Sequence, residues 1–285
     1  MMWGGFTGLR PGPELFVRWI QNGIFHPRFT IHSWKVDGSA NEPWMYPKVL
    51  PIIRDTIYFR YRLIPYLYNL MVEAADQGHP ILRPLVYQFP DDPNCVEESF
   101  DFMLGPSLLV ASVLKAGVNQ REVYLPQGQS WYDFYTGQRY AGGKSHLVPA
   151  PLERIPLFVP EGGMLPMGEV VHPLIHPQDD LRQVYLFPFI EQGSSRLELS
   201  EDDGISLGYQ QGQTTRVNID LQCTDKNIQV VVRLNPYGYP LSYTQIEFIL
   251  PAGENRKVVL QRLSCEWLDE EQRRHYCYMI PEFKG

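Results

Sequence analysis

Absences narrow this chain first. No apolar run reaches the ~18 residues that a membrane-crossing helix needs. The opening, Met1-Met2-Trp3-Gly4, has neither the basic nor the apolar region of a secretory signal. Four cysteines, Cys95, Cys223, Cys265 and Cys277, are scattered without a Cys-x-x-Cys pair. That argues against a zinc site or a disulfide frame and fits free thiols in a cytoplasmic protein. An excess of positive charge is missing too: the net charge is −7, which argues against nucleic acid or an acidic membrane surface as partner. Gly-rich phosphate loops, zinc-ligand spacings and a Ser-His-Asp set are lacking, so no cofactor is implied. There is no internal repeat and no low-complexity tract.

What is present suits a globular chain with real cores. A length of 285 residues allows two domains, and 44% hydrophobic content is ample for burial. Aromatics make up 13% of the chain, with 17 tyrosines, which fits strands and sugar contacts equally. The organising stretch runs from Ile24 to Trp34. Phe29 and Ile31 alternate with Arg28, Thr30 and His32, which predicts a strand. Beyond it come His32, Trp34, a Gly-Ser turn and Asn41-Glu42-Pro43-Trp44. Aromatic planes beside hydrogen-bonding groups at a strand end suit a pyranose ring. A buried histidine among core tryptophans would leave the same pattern.

Taken together, Trp3-Gly4-Gly5-Phe6, Glu14-Leu15-Phe16-Val17-Arg18-Trp19, the His32 stretch and Glu42-Pro43-Trp44 resemble the C-terminal part of family 31 glycoside hydrolases. Later echoes are Ile81-Leu82-Arg83-Pro84-Leu85, Phe102-Met103-Leu104-Gly105-Pro106, Trp131 to Gly137 and Glu201-Asp202-Asp203-Gly204. The resemblance implies a retaining α-glucosidase, α-xylosidase or α-transglucosylase. An Asp-Ile-Gly-Gly-Phe segment there ends barrel strand seven, and an Arg-x-His segment ends strand eight. It also implies that His32 hydrogen-bonds hydroxyls of the sugar before the cleaved bond, and that Phe6 forms an apolar wall. Trp34 is a stacking surface on that reading, and Arg28 does work related to the family arginine, whose position holds Thr30. The family aspartate before Gly-Gly-Phe aligns with Met2, which cannot accept a hydroxyl hydrogen bond as a carboxylate does; a cloning or gene-model boundary is the simplest account.

Local patterns lay out an α+β chain: the C-terminal end of a (β/α)8 barrel over residues 1–100, then antiparallel β-sandwiches over 101–175 and 176–285. Pro11, Pro13 and Glu14 open a helix that Gly23 stops, with Leu15, Phe16, Trp19 and Ile20 on one face. Arg18, between aromatics, is expected to bind carbonyls or a carboxylate inside the fold. A long helical pattern runs from Tyr46 to Gln77, with a kink expected near Tyr61 because of Pro65 and a C-cap at Gly78. After Phe102 short β runs alternate with Gly and Pro. The pairs His172-Pro173 and His176-Pro177 mark a linker reaching to Leu181.

Retaining hydrolysis requires two carboxyl groups about 5–5.5 Å apart. In the family both precede Gly-Gly-Phe, and no Trp-x-Asp-Met-Asn-type nucleophile segment occurs in this chain. The expectation is therefore a C-terminal piece without catalytic residues of its own. It would bind an α-glucoside or α-xyloside and pair with a missing N-terminal half or with a second copy. A carbohydrate-binding scaffold built from the sandwiches is the rival from another class. Asp91-Asp92 and Glu201 to Gly204 are read as turns or caps rather than metal sites.

Overall fold

The computed structural model describes residues 10–33, 38–97, 99–169, 181–234 and 238–261, with two further strands at Ser264–Asp269 and Arg274–Tyr278 described by backbone alone. The two His-Pro pairs of the expected linker lie outside the described residues. Among the described residues, four α-helices stand in chain order: α1 (Pro13–Gly23), α2 (Leu50–Arg62), α3 (Ile64–Gln77) and the short α4 (Leu85–Gln88). Proline at the first position and Glu14 in the first turn start α1. Its buried face is Phe16, Val17 and Ile20; Leu15 and Trp19, expected on that face, are 48% and 36% exposed. The long helical pattern breaks at Leu63 rather than bending at Tyr61. Pro65 has no N–H to donate to Tyr61, so the ladder restarts with Pro65 in the first turn of α3. Gly78 closes α3 at φ 75°, donating its N–H to the Ala74 carbonyl at 3.0 Å.

Two compact units make up the chain. The first comprises Met1–Tyr61, Pro80–Tyr135 and Arg139–Val159. Its strands are β1 (Leu82–Pro84), β2 (Phe102–Leu104), β3 (Leu108–Val110), β4 (Gln120–Leu125), β5 (Ser130–Asp133), β6 (Arg139–Ala141), β7 (Lys144–Pro149) and β8 (Leu157–Pro160). Six form one sheet in the order β1-β2-β3-β8-β5-β6, while β4 and β7 pair separately. Met103, Leu109, Trp131 and Phe158 from the larger sheet meet Val123, Leu125 and Val148 from the pair in one buried cluster. Gly142 lies where the chain leaves β6 for β7. A Cβ there would stand 2.3 Å from the Pro126 carbonyl oxygen, so only glycine permits that approach.

The second unit comprises Arg62–His79, Thr136–Gln138 and Pro160–Gly285. It contains β9 (Met164–Met167), β10 (Leu181–Leu186), β11 (Gly193–Glu201), β12 (Thr215–Cys223), β13 (Asn227–Leu234), β14 (Gln245–Ile249), β15 (Lys257–Gln261), β16 (Ser264–Asp269) and β17 (Arg274–Tyr278). Sheets β16-β17-β14-β10-β9 and β11-β12-β13-β15 share a core of Val184, Leu186, Ile219, Val230, Ile246 and Phe248, among others. Burying alternate residues of both inner faces is what binds such a sandwich. The expectation of wholly antiparallel sheets fails at two pairs: β10–β14 and β13–β15 run parallel. Both join strands distant in sequence, where a crossover replaces a hairpin. Two arms of α3 tie it to the same unit: Asn69 Oδ1 accepts from Ser200 N–H at 2.6 Å, and the Tyr68 hydroxyl donates to Asp202 at 2.5 Å.

The predicted strand over Phe29 to His32 is not a ladder. Residues 24–28 turn and bend, and a single bridge at Ile31 is all the sheet pairing of the stretch among the described residues. Alternation supplies a strand's pattern, but pairing needs a neighbour, and Pro27 has no N–H to offer one. The carbonyls of this segment go to a side chain instead.

Candidate functional site

That side chain is Arg60. In α2, Phe59 packs edge-on against Phe25 at 6.2 Å and Phe134 at 5.6 Å. This fixes the adjoining turn of the helix beneath the Ile24–Phe29 backbone. The Arg60 guanidinium donates to the carbonyls of His26 at 2.8 Å, Pro27 at 3.0 Å and Ile24. It also lies over the Phe29 ring, 5.4 Å from the centroid. Burial pushes its pKa below the ordinary arginine value, yet a guanidinium stays charged at neutral pH. Three charge-assisted bonds from one planar fork satisfy carbonyls that a ladder would otherwise take.

His26 sits inside this arrangement. Its Nε2 lies 3.3 Å from Asn22 Oδ1, and its ring is 5.9 Å from that of Phe102. Burial, with smaller contributions from nearby positive charges, Arg60 among them, lowers its pKa to about 4, so it is neutral at pH 7. It also borders a cleft of about 510 Å³ with Trp19, Phe100, Phe102 and Leu114 on its walls. Neither Arg28 nor His32 lines that cleft.

Of the residues singled out in the sequence, Arg28 and His32 are both exposed on the segment that Arg60 holds. Phe6 and Trp34 lie outside the described residues. The Thr30 hydroxyl, where the family arginine was expected, is buried with no hydrogen-bond partner among the described residues. Just downstream, Ser33 Oγ accepts from the Asn41 N–H at 2.8 Å, drawing the following loop back to the segment. Trp44 is 63% exposed, which excludes the core role and leaves its ring free to stack. Chemically, an imidazole and a guanidinium offer hydroxyls hydrogen bonds of fixed origin, but neither is a nucleophile for glycosyl transfer.

The acidic clusters do other work. Asp92 is buried and accepts from Asn94 N–H at 3.0 Å, Gln127 N–H at 2.8 Å and the Tyr124 hydroxyl at 2.8 Å. Burial alone would raise its pKa; these hydrogen bonds outweigh burial and lower it. Asp203 accepts from the N–H groups of Ile205 and Ser206 at 3.0 and 2.9 Å, and Asp202 from that of Gly204 at 2.8 Å. Asp101 forms a two-point pair with Arg121 at 2.7 and 2.6 Å. Among the described residues, no group of three His, Cys, Asp or Glu side chains is placed to hold a metal ion.

Arg18 meets its expectation: it donates to the carbonyls of Ala150 at 2.8 Å, Pro151 at 2.9 Å and Val118 at 3.2 Å. Arg60 had no such expectation. The available signal was an arginine inside the apolar stripe of α2, where a charge needs buried acceptors.

Residues 2–70 match the model of the glycosyl hydrolases family 31 TIM-barrel domain, and residues 78–165 match that of the glycosyl hydrolase family 31 C-terminal domain. The chain belongs to glycoside hydrolase family 31. It is 33% identical over 231 residues to alpha-glucosidase 2 of Bacillus thermoamyloliquefaciens, a match covering 81% of this chain and 29% of that protein. Human neutral alpha-glucosidase AB is 36% identical over 264 residues, covering 90% of this chain and 27% of that protein. A family 31 dextranase of Flavobacterium johnsoniae, solved with isomaltotriose, superposes with a TM-score of 0.81 at 28% identity over 93% of this chain and 35% of its own. The chain thus spans about a third or less of the relatives it matches.

Proposed function

We propose that these residues are the C-terminal part of a retaining α-glycosidase that hydrolyses terminal α-linked glycosyl residues. Both catalytic carboxyl groups come from outside the 285 residues. On this reading the chain contributes helices from the end of a barrel, two β-sandwich bodies that buttress it, and one wall of the sugar site. His32 and Arg28 hydrogen-bond the hydroxyls of an α-glucoside or α-xyloside. Such bonds accelerate cleavage when they tighten as the ring distorts toward an oxocarbenium-like shape.

The observation that carries this reading is the display of His32 and Arg28, exposed on a short segment whose backbone is held by Arg60. Relatives named as α-glucosidases and an α-xylosidase support the substrate class. Exposed apolar side chains on the helices, including Leu15, Trp19, Tyr58, Tyr61, Ile64 and Met71, await a cover. The rest of the enzyme, or failing that a second copy, provides it.

Purified residues 1–285 are expected not to cleave a nitrophenyl α-glucoside above background, since binding residues supply neither nucleophile nor acid. Turnover that follows the chain through purification and disappears in His32→Ala would overturn the reading.

A further inference from the structure

We propose that Arg60 is a positioning residue for the sugar site: its guanidinium sets the backbone from which Arg28 and His32 are displayed. The inference rests on the function proposed above and deepens it.

The geometry runs in three steps. The Ile24–Ser33 segment has one bridge, at Ile31, among the described residues, so sheet pairing does not fix its path. Its carbonyls at Ile24, His26 and Pro27 converge instead on one guanidinium. The same group covers the Phe29 ring, one residue beyond Arg28 and three before His32. Arg60 is anchored from the other side by Phe134, against which the adjoining Phe59 packs; Phe59 also meets Phe25 at the start of the segment. The helix therefore meets the segment through two side chains, Phe59 at Phe25 and Arg60 at the carbonyls of Ile24, His26 and Pro27.

Arginine is required for this task. Its donors lie in a rigid plane and reach several carbonyls together, whereas a lysine ammonium is a single point on a flexible stem. Arg60 touches neither the substrate nor any reacting atom in this scheme. It acts through His32.

Two measurements test it. In amide hydrogen exchange on the 285-residue chain, Arg60→Met should speed exchange across residues 24–33 and leave the β11–β12 ladder as protected as in the parent. Arg60→Lys should fall between. Unchanged exchange in residues 24–33 would overturn the proposal, as would equal loosening of the whole chain.

In the native polypeptide that carries these residues, Arg60→Met should lower kcat/KM by about 10²-fold, mostly in kcat, the loss expected for a displacement of around 1 Å in a group that binds the transition state. Arg60→Lys should recover part of it. Combined with His32→Ala, it should cost little more than His32→Ala alone, since the two act as one unit. Additive losses would overturn positioning through His32. If His32→Ala alone keeps full kcat/KM, the sugar-site reading fails, and the proposal with it; a normal His32 effect with additive losses fails the proposal and leaves that reading intact.

Discussion

The Ile24–Ser33 segment and the β11–β12 ladder satisfy their backbones in opposite ways. In the ladder, nine residues of β11, from Gly193 to Glu201, face nine of β12 in unbroken antiparallel register. Each bond is weak in net terms and each neighbour supports the next, so no single side chain decides the outcome. Alternate side chains also point into a shared core, where Leu199, Val217 and Ile219 are fully buried. The displayed segment sends three carbonyls to Arg60, while its Ile24, Phe25 and His26 amides turn back to carbonyls of α1. Concentration has one consequence: three carbonyls of the segment depend on a single side chain, while Phe25 and Ser33 tie it elsewhere.

The largest single effect should come from the core of the second unit. Phe248 is fully buried between its two sheets. Phe248→Ala should cost about 3–5 kcal/mol in denaturant titration, the range for truncating a buried aromatic. A loss well below ~1 kcal/mol would mean that this core is not what binds the sandwich.

A smaller loss is expected where one carboxylate gathers a loop in the first unit, as Arg60 gathers a segment. Asp92→Ala removes the acceptor for Asn94, Tyr124 and Gln127, at about 2 kcal/mol for charge-assisted bonds. Because the folded state lowers this carboxyl pKa, its contribution is present above the unfolded value near ~4 and is lost as pH falls through the folded one. The stability gap between parent and Asp92→Asn should therefore close in acid, as followed by urea unfolding at successive pH values.

His26 gives an effect of its own kind. Its folded pKa of about 4 lies below the ordinary histidine value of 6.5. Between those values the unfolded chain binds a proton that the folded chain refuses, so stability rises with pH across that window. Parent protein should lose stability from pH 6.5 down to about 4 more steeply than His26→Gln. Parallel curves would show that the ring is protonated in the folded state.

The smallest change tests a local stop signal. Gly78 caps α3 at φ 75° with open space around it, so Gly78→Ala should cost about 1 kcal/mol from backbone conformation alone.

Much of this was legible in the residues. Gly23, Pro65 and Gly78 mark helix boundaries by what their backbones forbid or allow, and the structure places stops or breaks at or next to each. The alternation of Val217, Ile219 and Leu221 announces β12, since burial on one face writes itself at period two. The short β6 and β7 were hidden, because Gly142-Gly143 reads as punctuation while its flanks carry little apolar signal. Alternation also misled at Phe29 to His32, where pattern exists without a neighbouring strand. His32 and Arg28 are proposed from the motif, whereas the carbonyls that Arg60 holds could not be read from the sequence. Every residue has a carbonyl, and nothing in the sequence tells which of them lack a ladder.

The most direct test of the sugar-wall claim is kcat/KM for a nitrophenyl α-glucoside, measured with the native polypeptide and its His32→Ala variant alongside their melting temperatures. A hydrogen bond that strengthens in the transition state predicts a loss of about 10²-fold or more with the melting temperature unchanged. Normal kinetics with a lowered melting temperature would contradict it and make His32 a structural residue.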